Sequence, residues 1–185
     1  CLSFVASVAS AEVRMGVSVH AMMLDSTGSE TLRTSGNVTS TSIDETAIVP
    51  SLFIETLNSN GLGVGVDYVP VAELGSKSSS NKVDAETNGE NKASAELASH
   101  ATLYVIAQHE NGIFVKAGMA FADVETTESL STGDTYGDAT TEGLMAGIGM
   151  SRDLDNGMFV RGELSYVDYD DISITSTGGS KVKAD

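Results

Sequence analysis

The chain has 185 residues, 41% apolar and 19% charged, with a net charge of −16 and a single cysteine. That length suits one domain, and the acidic balance excludes a nucleic-acid partner, because phosphates would be repelled and no basic patch exists to hold them. No run of about 18 apolar residues occurs, which excludes a spanning helix but leaves open a membrane barrel, whose alternating strands average to the near-neutral mean hydropathy of +0.01.

The segment Cys1-Leu2-Ser3-Phe4-Val5-Ala6-Ser7-Val8-Ala9-Ser10-Ala11 reads as the end of a secretory signal. It closes in Ala9-Ser10-Ala11, the small-x-small pattern that signal peptidase accommodates. Two other readings are a lipidated Cys1 and a plain first strand. Export leads, so residues 12–185 form the expected domain.

The strands announce themselves by rhythm. From Val13 to Met23 the odd positions Val13, Met15, Val17, Val19, Ala21 and Met23 are apolar, while Arg14, Gly16, Ser18 and His20 alternate with them. Successive strand side chains point to opposite faces, so one face is oily and the other polar or small. Ala47–Leu57 is a second, less regular strand, with Ile48, Leu52 and Ile54 on its apolar side. Leu62–Pro70 sets Leu62, Val64, Val66 and Tyr68 against Gly63, Gly65 and Asp67. Next, Leu97, Ala101, Leu103 and Val105 oppose Glu96, His100, Thr102 and Tyr104. In Ile113–Ala122, Ile113, Val115, Met119 and Phe121 oppose Phe114, Lys116 and Gly118. Leu144, Ile148 and Met150 then oppose Gly147, Gly149 and Ser151. In the seventh strand, running from Met158 to about Ile174, Val160, Leu164 and Tyr166 oppose Phe159, Arg161 and Glu163.

The connections alternate in length. Asn58-Ser59-Asn60-Gly61, Glu110-Asn111-Gly112 and Asp153-Leu154-Asp155-Asn156-Gly157 are short and end in Asn-Gly, which accepts the positive φ of tight hairpin turns. The others, near 25–42, 73–92 and 126–141, are long and polar. Short turns on one side and long loops on the other are the habit of transmembrane barrels. The fold class expected is therefore all-β: an antiparallel up-and-down transmembrane β-barrel of eight strands, about seven of them present. Ser176-Thr177-Gly178-Gly179-Ser180 would begin a fourth outer loop, leading to a last strand that the sequence lacks.

The stretch Leu154-Asp155-Asn156-Gly157-Met158-Phe159-Val160-Arg161-Gly162-Glu163-Leu164-Ser165-Tyr166-Val167-Asp168-Tyr169-Asp170 resembles the penultimate hairpin of porin-family, outer-membrane-protein-A-like eight-stranded barrels. Leu62-Gly63-Val64-Gly65-Val66-Asp67-Tyr68-Val69-Pro70 is similar to the third strand of the same group, particularly its alphaproteobacterial members. With strand order and loop lengths, the resemblance covers residues 12–175. It implies a bacterial outer-membrane location, surrounding lipid and lipopolysaccharide, and a final strand ending in an aromatic residue recognised during barrel insertion.

Chemistry is expected on the polar face. Arg14, Asp67, Glu96, His100, Lys116, Arg161 and Glu163 fall on interior positions and should pair, because a buried charge survives only with a partner. Such a network plugs a barrel whose eight strands leave room for little beyond side chains. Alternatively it acts as a gate, with Arg161 or Lys116 rearranging among the acids. His20 and His100 could share the interior, but with His109 they lack zinc-ligand spacing. Neither a Gly-x-Ser-x-Gly elbow nor a nucleotide loop is credible, since Gly61-Leu62-Gly63-Val64-Gly65 has no helix after it. No catalytic residue, metal or cofactor is expected. The function expected is a monomeric, non-enzymatic envelope-stabilising barrel with weak porin activity. The alternatives are a surface adhesin or ligand-binding barrel acting through its long acidic loops, and a lipocalin-type soluble barrel.

Overall fold

The computed structural model describes residues 12–31, 36, 38–81, 89–129, 135–154 and 158–184, with side chains except at 19–28, 30, 39, 41–47, 72–95, 128 and 184. The proposed signal segment 1–11 and the Asn-Gly of the third short turn lie outside the described residues.

Among the described residues ten strands make one antiparallel sheet: β1 (Glu12–Thr31), β2 (Val38–Leu57), β3 (Leu62–Val69), β4 (Ala72–Asn81), β5 (Gly89–Gln108), β6 (Ile113–Ser129), β7 (Ala139–Asp153), β8 (Phe159–Tyr169), β9 (Ile172–Thr175) and β10 (Lys181–Ala184). Their order across the sheet is β8-β7-β6-β5-β3-β2-β1-β10-β9, and β4, which continues β3 beyond Pro70 and Val71, pairs with β5. With β4 taken as the continuation of β3, neighbours from β1 to β8 are neighbours in the chain, which is the up-and-down pattern the alternating connections predict, and among the described residues only the β1–β10 pairing joins distant segments. The fold is an all-β antiparallel barrel. Its curl is visible where Arg161 on β8 reaches Glu55 on β2, four strands away from β7 in the sheet path.

Closure is incomplete. At the outer end the path runs from β9 through β10 to β1, with Lys181–Ala184 registered both to Ile172–Thr175 and to Gly28–Thr31. Lower down, β8 pairs only with β7 and β1 only with β2 among the described residues. A seam therefore separates β1 from β8.

Two short turns form as their sequences dictate. Gly61 and Gly112 adopt φ of 76° and 89°, and Asn58 Oδ1 accepts hydrogen bonds from the Asn60 and Leu62 amides at 2.9 and 3.0 Å. A β-carbon at Gly112 would sit 2.1 Å from the Ser151 carbonyl oxygen, so glycine is required there for space as well as conformation.

The long connections differ from the expectation. Much of 25–42, 73–92 and 126–141 is strand, paired as hairpin extensions of β1–β2, β4–β5 and, in part, β5–β6. Away from an oily surface neither face must be apolar, so a ladder of Ser and Thr extends without alternation. Residues 176–180 likewise make a tight turn, closed by Ser176 N donating to Ser180 O at 2.8 Å, with Gly179 at φ 94°. It begins no long loop. The turn docks on the neighbouring hairpin, where Thr177 N donates to Thr135 O and Thr135 N to Thr177 Oγ1.

The two faces segregate. Val13, Met15, Val17, Ile48, Leu52, Ile54, Val64, Leu103, Val105, Val115, Leu144, Ile148 and Leu164 are exposed on the outside. This belt takes in β1, β2, β3, β5, β6, β7 and β8. On β6 it runs from Ile113 to Phe121, about 26 Å of strand at about 3.3 Å per residue. Tyr68 and Phe121, both facing out, flank Ala101 at one level of the sheet near the upper limit of the belt.

Candidate functional site

The interior carries the buried charge. Glu55, on β2, is out of phase with the outward Leu52 and Ile54, so its carboxylate points inward and is wholly buried. There it accepts from both terminal nitrogens of Arg161 on β8, with the Nη1–Oε2 distance 3.0 Å, and from the Tyr104 hydroxyl on β5 at 2.9 Å. A forked guanidinium answering both oxygens of a carboxylate is the geometry in which a buried ion pair can offset its desolvation. Beside it, Lys116 Nζ on β6 donates to Glu163 Oε2 on β8 at 2.7 Å.

Aromatic rings frame these pairs. The Lys116 ammonium lies 4.2 Å from the centre of the Tyr104 ring, and the Arg161 guanidinium 4.8 Å from Phe114, 5.2 Å from Phe53 and 5.4 Å from Phe159. A cation over a ring face gains from the ring quadrupole where water is excluded. The interior glycines make the room. A β-carbon at Gly65 would meet the Tyr104 ring at 2.5 Å, and one at Gly149 would meet Phe114 at 2.4 Å. The space at these two glycines is taken by aromatic side chains.

Around this layer the interior is partly apolar. Leu57, Ile106, Phe114 and Met145 pack with Tyr104, and nearer the outer end Val49, Val69, Leu97 and Ala122 pack together with Tyr169 against them. Two polar contacts stand among them. Ser51 Oγ donates to Asp67 Oδ2 at 2.9 Å, and His100 Nε2 lies 2.8 Å from the Tyr169 hydroxyl. At the short-turn end Arg14 contacts Glu12 at 3.2 Å and reaches Asp153 at 3.4 Å across the seam.

Of the residues singled out from sequence, Arg14, Asp67, His100, Lys116, Arg161 and Glu163 all face inward, and Lys116–Glu163 is a pair between two of them. Asp67 and His100 join other partners, and Arg14 belongs to the rim. The expectation for Glu96 is corrected. Its register shifts between Leu97 and Ser99, where Ala98 is an extra residue in the ladder with β6. A bulge reverses which positions face inward. Above it Leu97 is buried, at 4% exposure, and Glu96 faces water. His109 lies exposed in the second short turn, accepting from the Asn111 amide, and the side chain of His20 lies outside the described residues. Glu55, the central acceptor, was not among the candidates, although its phase opposite Leu52 and Ile54 could have pointed to it.

Among the described residues no group of His, Cys, Asp and Glu could hold a metal ion. No known protein family, curated protein or solved structure matches this chain.

Proposed function

We propose that this chain is a bacterial outer-membrane β-barrel with an envelope-stabilising role, its interior plugged at rest by the Glu55–Arg161 and Lys116–Glu163 pairs. One observation carries the reading: large apolar side chains cover the outside of the barrel, while the paired charges are buried within it. Hydrocarbon tolerates the first and rejects unpaired forms of the second. A soluble ligand-binding barrel of lipocalin type would have the opposite polarity. Folding that requires detergent or lipid, with heat-modifiable migration on a gel, supports the membrane reading. A chain that stays monomeric and folded in plain buffer overturns it.

Weak, gated conduction goes with this reading. Exchange of Arg161 or Lys116 between the acids would move the cations from the centre and open a narrow path for small ions. In planar bilayers, Arg161→Ala should conduct more often than the unaltered chain. A steady absence of current from both ends the gate.

A second reading is an adhesin or ligand-binding surface protein. Its support is the length of β1 and β2, 20 residues each, or about 66 Å at about 3.3 Å per residue, well beyond the apolar belt. Loss of cell attachment on trimming residues 73–92 and 126–141 would favour it.

A further inference from the structure

Between the ion-pair layer and the outer end, the polarity of the interior changes. Ser51 stands four residues up β2 from Glu55, about 13 Å of strand at about 3.3 Å per residue, and bonds Asp67 on β3. Thr102 on β5 is opposite Asp67 in the ladder and is also buried. Two residues above Ser51 comes Val49. It is buried in a cluster with Val69, Leu97 and Ala122 from β3, β5 and β6, and Tyr169 from β8 packs against them. Five strands thus send an apolar or aromatic side chain to one place.

That place is where the interior meets the outer end. Val69 and Ala122 both pair with His100, one residue beyond Tyr68, Ala101 and Phe121 at the upper limit of the outer belt. Lumens of membrane barrels are polar by habit. Strict alternation would have kept this one so, with Glu96 turned inward, but the bulge at Ala98 turns Leu97 in instead. Tyr169 is held against the cluster by His100, whose Nε2 lies 2.8 Å from its hydroxyl, with the two rings edge to face at 6.3 Å.

We propose, on the membrane-barrel reading, that this cluster is a second closure of the lumen: an apolar collar in series with the ion-pair layer. Ser51, Asp67 and Thr102 then line a compartment shut between the two. A constriction of valine, leucine and a tyrosine ring excludes water and ions because its walls offer them no partners. It needs no charge to rearrange. The two closures therefore open to different changes. Exchange of Arg161 or Lys116 among the acids frees the inner one and leaves the collar shut. Hydroxyls or smaller side chains in the collar open the outer one and leave the ion pairs in place.

The test places a reporter thiol in the compartment, Ser51→Cys in a Cys1→Ser background, with the full chain in phosphatidylcholine vesicles. Preparations are used in which added protease reaches residues 73–92, so that the outside medium bathes the collar. Silver ions, small thiol-seeking cations, are added outside, and mass spectrometry follows the thiol in the heat-modifiable, folded fraction. With the collar intact, reaction is expected to be slow. Val49→Thr with Val69→Thr, which keeps side-chain volume and adds hydroxyls, should speed it at least tenfold, and Leu97→Ala should act in the same direction. Arg161→Ala should leave the rate from outside within about twofold. Fast reaction behind the intact collar overturns the proposal. So does a rate that neither the threonine pair nor Leu97→Ala raises, or one that Arg161→Ala raises as much as they do. A chain that does not float with the vesicles overturns the membrane reading, and the collar with it; reaction rates in the floated chain bear on the collar alone.

Discussion

Glu55 shows how one carboxylate organises the interior. It is fully buried, receives three donated hydrogen bonds, and ties β2 to β5 and β8. Removing its guanidinium partner would leave a negative charge without compensation where water cannot follow. Arg161→Ala should therefore destabilise the barrel by about 3–5 kcal/mol. The paired change Arg161→Met with Glu55→Leu should recover most of that loss, because an apolar pair of similar volume avoids the desolvation cost. Urea unfolding of the lipid-reconstituted chain, followed by circular dichroism, distinguishes these outcomes; equal losses in the single and double variants would contradict them. The arginine and its neighbour Glu163 were legible from alternation in β8. Glu55 was harder to find because Pro50 and Ser51 blur the rhythm of its strand, and a partner on a distant strand leaves no mark in local sequence.

At the scale of the element, the bulge in β5 decides more than composition does. Ala98 stands between Leu97 and Ser99 with no glycine or proline beside it, so nothing in the sequence signals that the phase turns over there. Below the bulge the reading of inward positions holds; above it Leu97 and Glu96 trade places. The consequence is measurable. Leu97→Ala should cost about 2–5 kcal/mol by opening a cavity among Val49, Val69 and Ala122, whereas Glu96→Ala should change stability by no more than about 0.5 kcal/mol. A larger loss from the Glu96 variant would restore that residue to the interior. The hairpin extensions follow the same logic: Thr39–Ser42 and Ser76–Ser80 carry no alternation, and their strand conformation depends on a neighbour to pair with.

For the molecule as a whole, the position of the apolar belt separates a membrane barrel from a soluble one. Leu164 faces outward on β8 with 76% exposure, level with Ile148 on β7. Leu164→Arg should cost about 2–4 kcal/mol if that surface meets the middle of a bilayer, falling to about 0–1 kcal/mol for a position near the interface. Unfolding titrations in vesicles would read the difference. Stability unchanged by arginine at Leu164 would place the belt in water and remove the basis of the membrane reading. The seven main strands, their direction and the oily face were present in the one-dimensional pattern, because a period of two and an Asn-Gly turn are local properties of the chain. Only the tertiary structure decided which charges meet, where the phase reverses and how far the barrel closes. Each of those depends on residues brought together from strands far apart in sequence, and curvature, not local preference, sets their distances.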